Sequence, residues 1–204
     1  MLLFKTITGA HLWRMEHEGS DEDVFECYQA PTLDILRGNA FMKSTFDAKV
    51  ANQDIARHEL GTVIEQLLKG NLNFVVGVMS PIVEETSETH KDLIALFRAM
   101  PPKNLYHSVR GMAVHNVKLY QDELDFKPKK VNAILRLLFM GEAYLRSGVL
   151  LFEPYYGTRS EIDPMLERLD KAYQDSPLID QIPELLLRDI LLKARLVNLG
   201  EPIS

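Results

Sequence analysis

Asp21 and Asp23 stand one residue apart, just after a glycine-bearing apolar segment and at the mouth of a second apolar segment. In an extended strand alternate side chains share a face, so this spacing aims both carboxylates at one place and turns Glu22 away. Two carboxylates that close repel each other, and a divalent cation relieves the repulsion. Magnesium takes hard oxygen ligands, one or two carboxylates together with phosphate oxygens and waters. A pair of such ions can activate an attacking hydroxyl and stabilise a leaving pyrophosphate. Gly9, at the end of the preceding segment, lets the backbone approach a triphosphate with no side chain between. Types and spacing together point to nucleotidyl transfer, with Mg2+ or Mn2+ and a nucleoside triphosphate as the expected cofactors.

Presenting these groups requires particular elements, and the chain offers them. Leu2 to Thr8 alternates as a strand that delivers Gly9, and Ala10 to Met15 predicts a short helix with its N-terminal amides toward a phosphate. Asp23 to Gln29 reads as a second strand, with Val24, Glu26 and Tyr28 on one face and Phe25 and Cys27 on the other. Cys27 is there a small core residue, because the sequence places no activating base beside it. Residues 31–53 carry no clear period. A turn is expected at Arg37-Gly38-Asn39, and Lys43, Ser44 and Lys49 make the stretch mildly basic, suited either to cover a nucleotide or to connect strands. Leu60, Val63, Ile64, Leu67 and Leu68 follow helical spacing up to a stop at Gly70-Asn71. Beyond Ser80-Pro81 the period is helical to the end. Helices are expected over 86–100 and 104–120, through 131–138 to a close at Gly148, from Asp163-Pro164, and from Pro183 to near Gly200.

At these residues the chain resembles the DNA polymerase beta-like nucleotidyltransferase superfamily. Gly9-Ala10, ten residues, then Asp21-Glu22-Asp23 is similar to that superfamily's Gly-Ser, ten residues, Asp-x-Asp signature. It looks most like the stand-alone predicted nucleotidyltransferase group, with Trp13 in the aromatic place and Ser20 in the serine place before the first aspartate. Ala10 stands where the family has a serine whose hydroxyl helps hold the phosphates, and Arg14 where it has a glycine. The lost hydroxyl is worth roughly 1.5–3 kcal/mol, the net value of a hydrogen bond to a charged group.

Two further blocks extend the resemblance. Lys69-Gly70-Asn71-Leu72-Asn73 is similar to the family's Lys-Gly-Asn-Pro-Asn after a helix, and by that alignment Asp54 is the third carboxylate, the base that helps activate the acceptor hydroxyl and completes the metal site. An ordinary strand or helix charge is the alternative for Asp54, and Asp47 and Glu59 are rivals for its role, Glu59 the weaker because it falls at the helix. Lys130 and Arg136 match a Lys-x-x-His-x-x-Arg-Leu-Leu pattern in which Ala133 replaces the histidine. The resemblance implies that these cations meet phosphates or the acceptor; the alternative is a solvated basic face on a core helix. Over about residues 1–150 it implies Asp21, Asp23 and Asp54 as catalytic metal ligands, and Gly9, Ala10, Ser20, Lys130 and Arg136 as nucleotide-binding.

The whole chain bounds these expectations. Its 204 residues, 46% hydrophobic and 25% charged, are those of a globular protein, expected as an α+β fold. A small mixed β-sheet nucleotidyltransferase core over 1–80 carries the site, and a C-terminal helical region over 81–204 packs on it. A net charge of −6 argues against long nucleic acid as a partner and leaves a protein, a small molecule or an RNA end as hydroxyl acceptor, with ATP or another triphosphate as donor. Cys27 is the only cysteine, which excludes an internal disulfide. No basic leader and no run of about 18 apolar residues is present, so a cytoplasmic protein with no membrane partner is expected. His11 and His17 invite a metal-ligand reading against a solvent-facing or nucleotide-contacting one, while His107 and His115, two helical turns or about 12 Å apart, are too distant to share an ion. Two other functions compete. Minimal members of this superfamily serve as antitoxin partners of helical ribonuclease toxins, and Ala10 with Arg14 could mark a degenerate nucleotide-binding protein.

Overall fold

The computed structural model describes residues 1–122 and 127–199. The N-terminal alternation becomes strand β1 (Leu2–Ile7), followed at once by a single helical turn, α1 (Gly9–Leu12), that buries Leu12 and Trp13. Strand β2 (Glu22–Tyr28) runs back antiparallel to β1. Residues 31–53, which show no clear period in the sequence, hold a short helix, α2 (Thr32–Arg37), and strand β3 (Thr45–Val50). β3 is an edge strand exposed at nearly every position, so burial imposes little pattern on it.

Strand β4 (Gln53–Glu59) closes a hairpin with β3 and lies parallel to β2. Helices α3 (Leu60–Leu68) and α4 (Leu72–Met79) follow, separated at Gly70-Asn71 as the spacing predicts, with the Asn71 side chain accepting from the Asn73 N–H. The expectation that all beyond Ser80-Pro81 is helical is corrected by β5 (Val83–Glu85), which pairs antiparallel with β1. Three exposed residues are too few to show alternation; the partner strand and the Lys5–Glu84 ion pair define it. The sheet is five-stranded and mixed, in the order β3-β4-β2-β1-β5.

One face of this sheet is covered by helix. Phe25 of β2 meets the Phe74 ring edge-on at 5.7 Å, and Gly77 of α4 lies against the Phe25 ring, where any Cβ would collide with it. Thr6 donates its hydroxyl proton to the Gly77 carbonyl, 2.7 Å away. Helix α5 (Glu88–Ala99) brings His90 flat onto Phe4, ring centroids 4.0 Å apart. The opposite face carries a smaller cluster of Ile7, Val24 and Ile55 with Ala48 beside it. Cys27 is fully buried, and burial pushes its thiol well above the ordinary range, as befits a core residue.

The remaining helices are α6 (Leu105–Leu119), α7 (Pro128–Ser147), α8 (Ile162–Asp175) and α9 (Glu184–Leu199). Residues 98–181 form a compact unit in which α7 packs between α6 and α8, with Gly141 of α7 against Val109 and Leu169. The expected start of α8 at Asp163-Pro164 is corrected: Thr158 and Glu161 form a capping box around a 3-10 turn, which puts Asp163 inside the first turn. Residues 1–97 and 182–204 form the other compact unit. Helix α9 thus returns to the sheet, which a linear division at residue 80 does not anticipate; Gly200, near its expected end, lies outside the described residues. The Gln29 amide donates to the Ala194 carbonyl, the Thr32 hydroxyl to the Arg195 carbonyl, and the Arg195 guanidinium to Glu59, 2.6 Å away. Among the described residues no helix is long and apolar enough to cross a membrane.

Candidate active site

Where β1 ends, Thr8 binds the β2 backbone, its N–H and its hydroxyl both reaching the Asp23 carbonyl at 2.8 and 3.2 Å. This clamp sets Gly9 directly against the Asp23 side chain. Gly9 adopts φ +60°, and a Cβ there would run into the Asp23 carboxylate, so only glycine satisfies both the conformation and the contact. Ala10 follows in α1, partly exposed, its carbonyl accepting from the Trp13 and Met15 amides. Arg14 has φ 53°, the left-handed conformation that glycine takes without cost.

The parallel ladder then brings the carboxylates together. Asp23 of β2 lies opposite Asp54 of β4, with Asp21 one residue ahead of β2. Asp23 and Asp54 line a cavity of about 480 Å3 together with Thr8, Asp47 and Lys49. The Lys49 ammonium, on β3 opposite Asp54, bridges Asp54 at 3.1 Å and Asp21 at 3.4 Å. Burial pushes the Asp23 carboxyl above its ordinary value, and the charges of Asp54 and Asp21 push it further; the His11 imidazole pulls the other way. Lys49 is raised by its hydrogen bonds to Asp54 and Asp21.

This donor set suits a hard divalent cation. It is oxygen-only, repels itself, and already draws in an ammonium; the buried His11 Nε2 also has no hydrogen-bond partner among the described residues. Among the described residues, no three His, Cys, Asp or Glu side chains are gathered as chelators.

The other sequence candidates fall as follows. Ser20 closes the turn before Asp21: its hydroxyl accepts from the His17 N–H at 3.0 Å, and its own N–H donates to the His17 carbonyl. His17 is exposed beside it. Of the two rivals to Asp54, Asp47 does line the cavity, whereas Glu59 is fully buried, caps α3 through the Gly61 N–H and pairs with Arg195. Lys130 and Arg136 lie on α7 in the other unit. The Lys130 ammonium sits 3.8 Å from the Tyr120 ring centroid, and burial lowers the Arg136 guanidinium to about 10. Sequence reasoning missed Thr8 and the bridging role of Lys49. Because β3 is exposed at nearly every position, its sequence carries little alternation from which to place Lys49 beside the carboxylates.

A mixed sheet that pairs an Asp-x-Asp strand with a third aspartate on its parallel neighbour defines a class, the polymerase beta-like nucleotidyltransferases. Within it, residues 1–187 match the RNA repair pathway DNA polymerase beta family, RlaP, and the chain belongs to that family. It is also similar to the uncharacterized protein MJ0002 of Methanocaldococcus jannaschii, 30% identical over 155 residues. That match takes in 72% of this chain and 61% of the relative, so the chain spans about three fifths of that protein's length.

Proposed function

We propose that this chain is a metal-dependent nucleotidyltransferase that moves a nucleoside monophosphate from a triphosphate, ATP foremost, onto a hydroxyl at an RNA end and releases pyrophosphate. The observation that carries this reading is the alignment of Asp54 with Asp23 across the parallel strands, beside a glycine that leaves the Asp23 carboxylate room. Asp21, Asp23 and Asp54 would hold Mg2+ or Mn2+. When bound, the ion would offset phosphate charge and lower the proton affinity of the acceptor hydroxyl.

The chain's own groups do the rest. Asp54 takes the acceptor proton at a carboxylate oxygen as the new bond to the α-phosphorus forms and the bond to the pyrophosphate oxygen breaks. Gly9 gives the Asp23 carboxylate the room that a Cβ would take. The family's RNA repair description favours an RNA end over a protein or small molecule. A net charge of −6 agrees with contact to a terminus and not to a long duplex.

The test is transfer of label from α-labelled ATP, CTP, GTP or UTP to short RNAs with free or blocked 3′ hydroxyls, with Mg2+ or Mn2+. Label on the free-hydroxyl RNA only, lost at least about 100-fold in Asp23→Ala, is the expected result. Thermal unfolding with each triphosphate accompanies it, a saturating ligand raising the midpoint by roughly 5–10 °C. Absence of both transfer and any metal-dependent shift would refute the assignment.

A further inference from the structure

Lys49 is the one basic side chain among the described residues lining the carboxylate cavity. Its place is set by two registers in series, Lys49 opposite Asp54 across the β3–β4 hairpin and Asp54 opposite Asp23 across the parallel ladder. The ammonium lies 3.1 Å from Asp54 and 3.4 Å from Asp21, so it already holds two of the three carboxylates proposed for the metal. An ammonium and a divalent cation repel, and the two cannot share the same oxygens at full strength. Lys49 is also free to leave: its side chain is 64% exposed, its stem is flexible, and exposed ion pairs are weak.

We propose that the Lys49 ammonium is a built-in counter-ion that competes with the divalent cation for Asp21 and Asp54 and moves to the phosphates of the incoming triphosphate, so that metal and nucleotide load together. This rests on the carboxylate site being the metal site proposed above. Without nucleotide, a bound ion must displace an ammonium that gains nothing in return. With nucleotide, the displaced ammonium meets phosphate oxygens, and the site balances its charge. Lys49 is on this account a positioning residue that makes metal affinity depend on nucleotide.

The test is Mn2+ binding, read by electron paramagnetic resonance, to the wild type, Lys49→Met, Lys49→Gln and Lys49→Arg, each with and without α,β-methylene ATP. Without nucleotide, both neutral variants bind Mn2+ about 3- to 10-fold more tightly than the wild type, and Lys49→Arg behaves like the wild type. The difference narrows as salt is raised. Adding the analogue tightens Mn2+ binding more in the wild type than in the neutral variants. Neutral variants that bind nucleotide-free Mn2+ no more tightly than the wild type overturn the role of Lys49 while leaving the carboxylate site standing. No Mn2+ binding by any of the four proteins, with or without analogue, removes the carboxylate site and the role of Lys49 together.

Discussion

Asp23 is where stability and function pull apart. Burial and two neighbouring carboxylates both raise its carboxyl, so the ion-free fold carries a repulsion for which the proposed metal-dependent transfer supplies the use. Asp23→Asn removes a charge while keeping the shape. The expected outcome is a higher unfolding midpoint without metal, worth a few tenths to about 1 kcal/mol, together with loss of nucleotidyl transfer; unchanged or lower metal-free stability would count against the repulsion. Gly9 makes the complementary case. With φ +60° and no room for a Cβ beside the Asp23 carboxylate, Gly9→Ala should cost about 1–3 kcal/mol in urea unfolding and abolish transfer, because the displaced group is the carboxylate itself.

At the level of elements, the junction of β4, α3 and α9 is held by one buried ion pair. Glu59 ends β4, is fully buried, and its carboxylate accepts from the Ala30 and Gly61 amides and from Arg195. The second Arg195 nitrogen donates to the Ala30 carbonyl at 3.1 Å. Removing one partner of such a pair strands the other charge, so Arg195→Ala should cost about 3–5 kcal/mol in denaturant unfolding. The joint replacement Glu59→Gln/Arg195→Met should recover a large part of that loss. A cost of only a few tenths of a kcal/mol for Arg195→Ala would mean that α9 does not anchor this corner.

At the level of the whole molecule, two buried histidines make stability depend on pH. His90 is fully buried; its Nε2–H donates to the Val78 carbonyl at 2.9 Å, so its Nδ1 accepts from the Thr86 hydroxyl, and the ring is satisfied as the neutral form. Burial lowers its proton affinity, and likewise that of His58, which packs between Phe25 and Phe74. The folded state therefore binds fewer protons than the unfolded chain once pH falls below the unfolded value near 6.5. Stability from these groups is complete above that value and declines in acid. Urea midpoints should drop between pH 7.5 and 5.5 by the equivalent of about 1–2 kcal/mol; a flat profile would contradict neutral burial of both rings.

What the chain alone determined was local. The alternation of β1 and β2, the α3 spacing with its Gly70-Asn71 stop and the apolar face of α7 are short-range patterns, and they gave the α+β class and the Asp21–Asp23 pair. Asp54 was legible only through resemblance, because no local rule ties a lone aspartate to a pair some thirty residues earlier. Tertiary structure decided the pairings. The parallel register that sets Asp54 opposite Asp23, the edge strand that brings Lys49 between carboxylates, the return of α9 to Glu59 and the neutral burial of His58 and His90 all depend on partners distant in sequence. Side-chain type and period specify which face a residue takes on its own element, whereas which element that face will meet is settled only when hydrogen-bonding edges and buried charges find their complements.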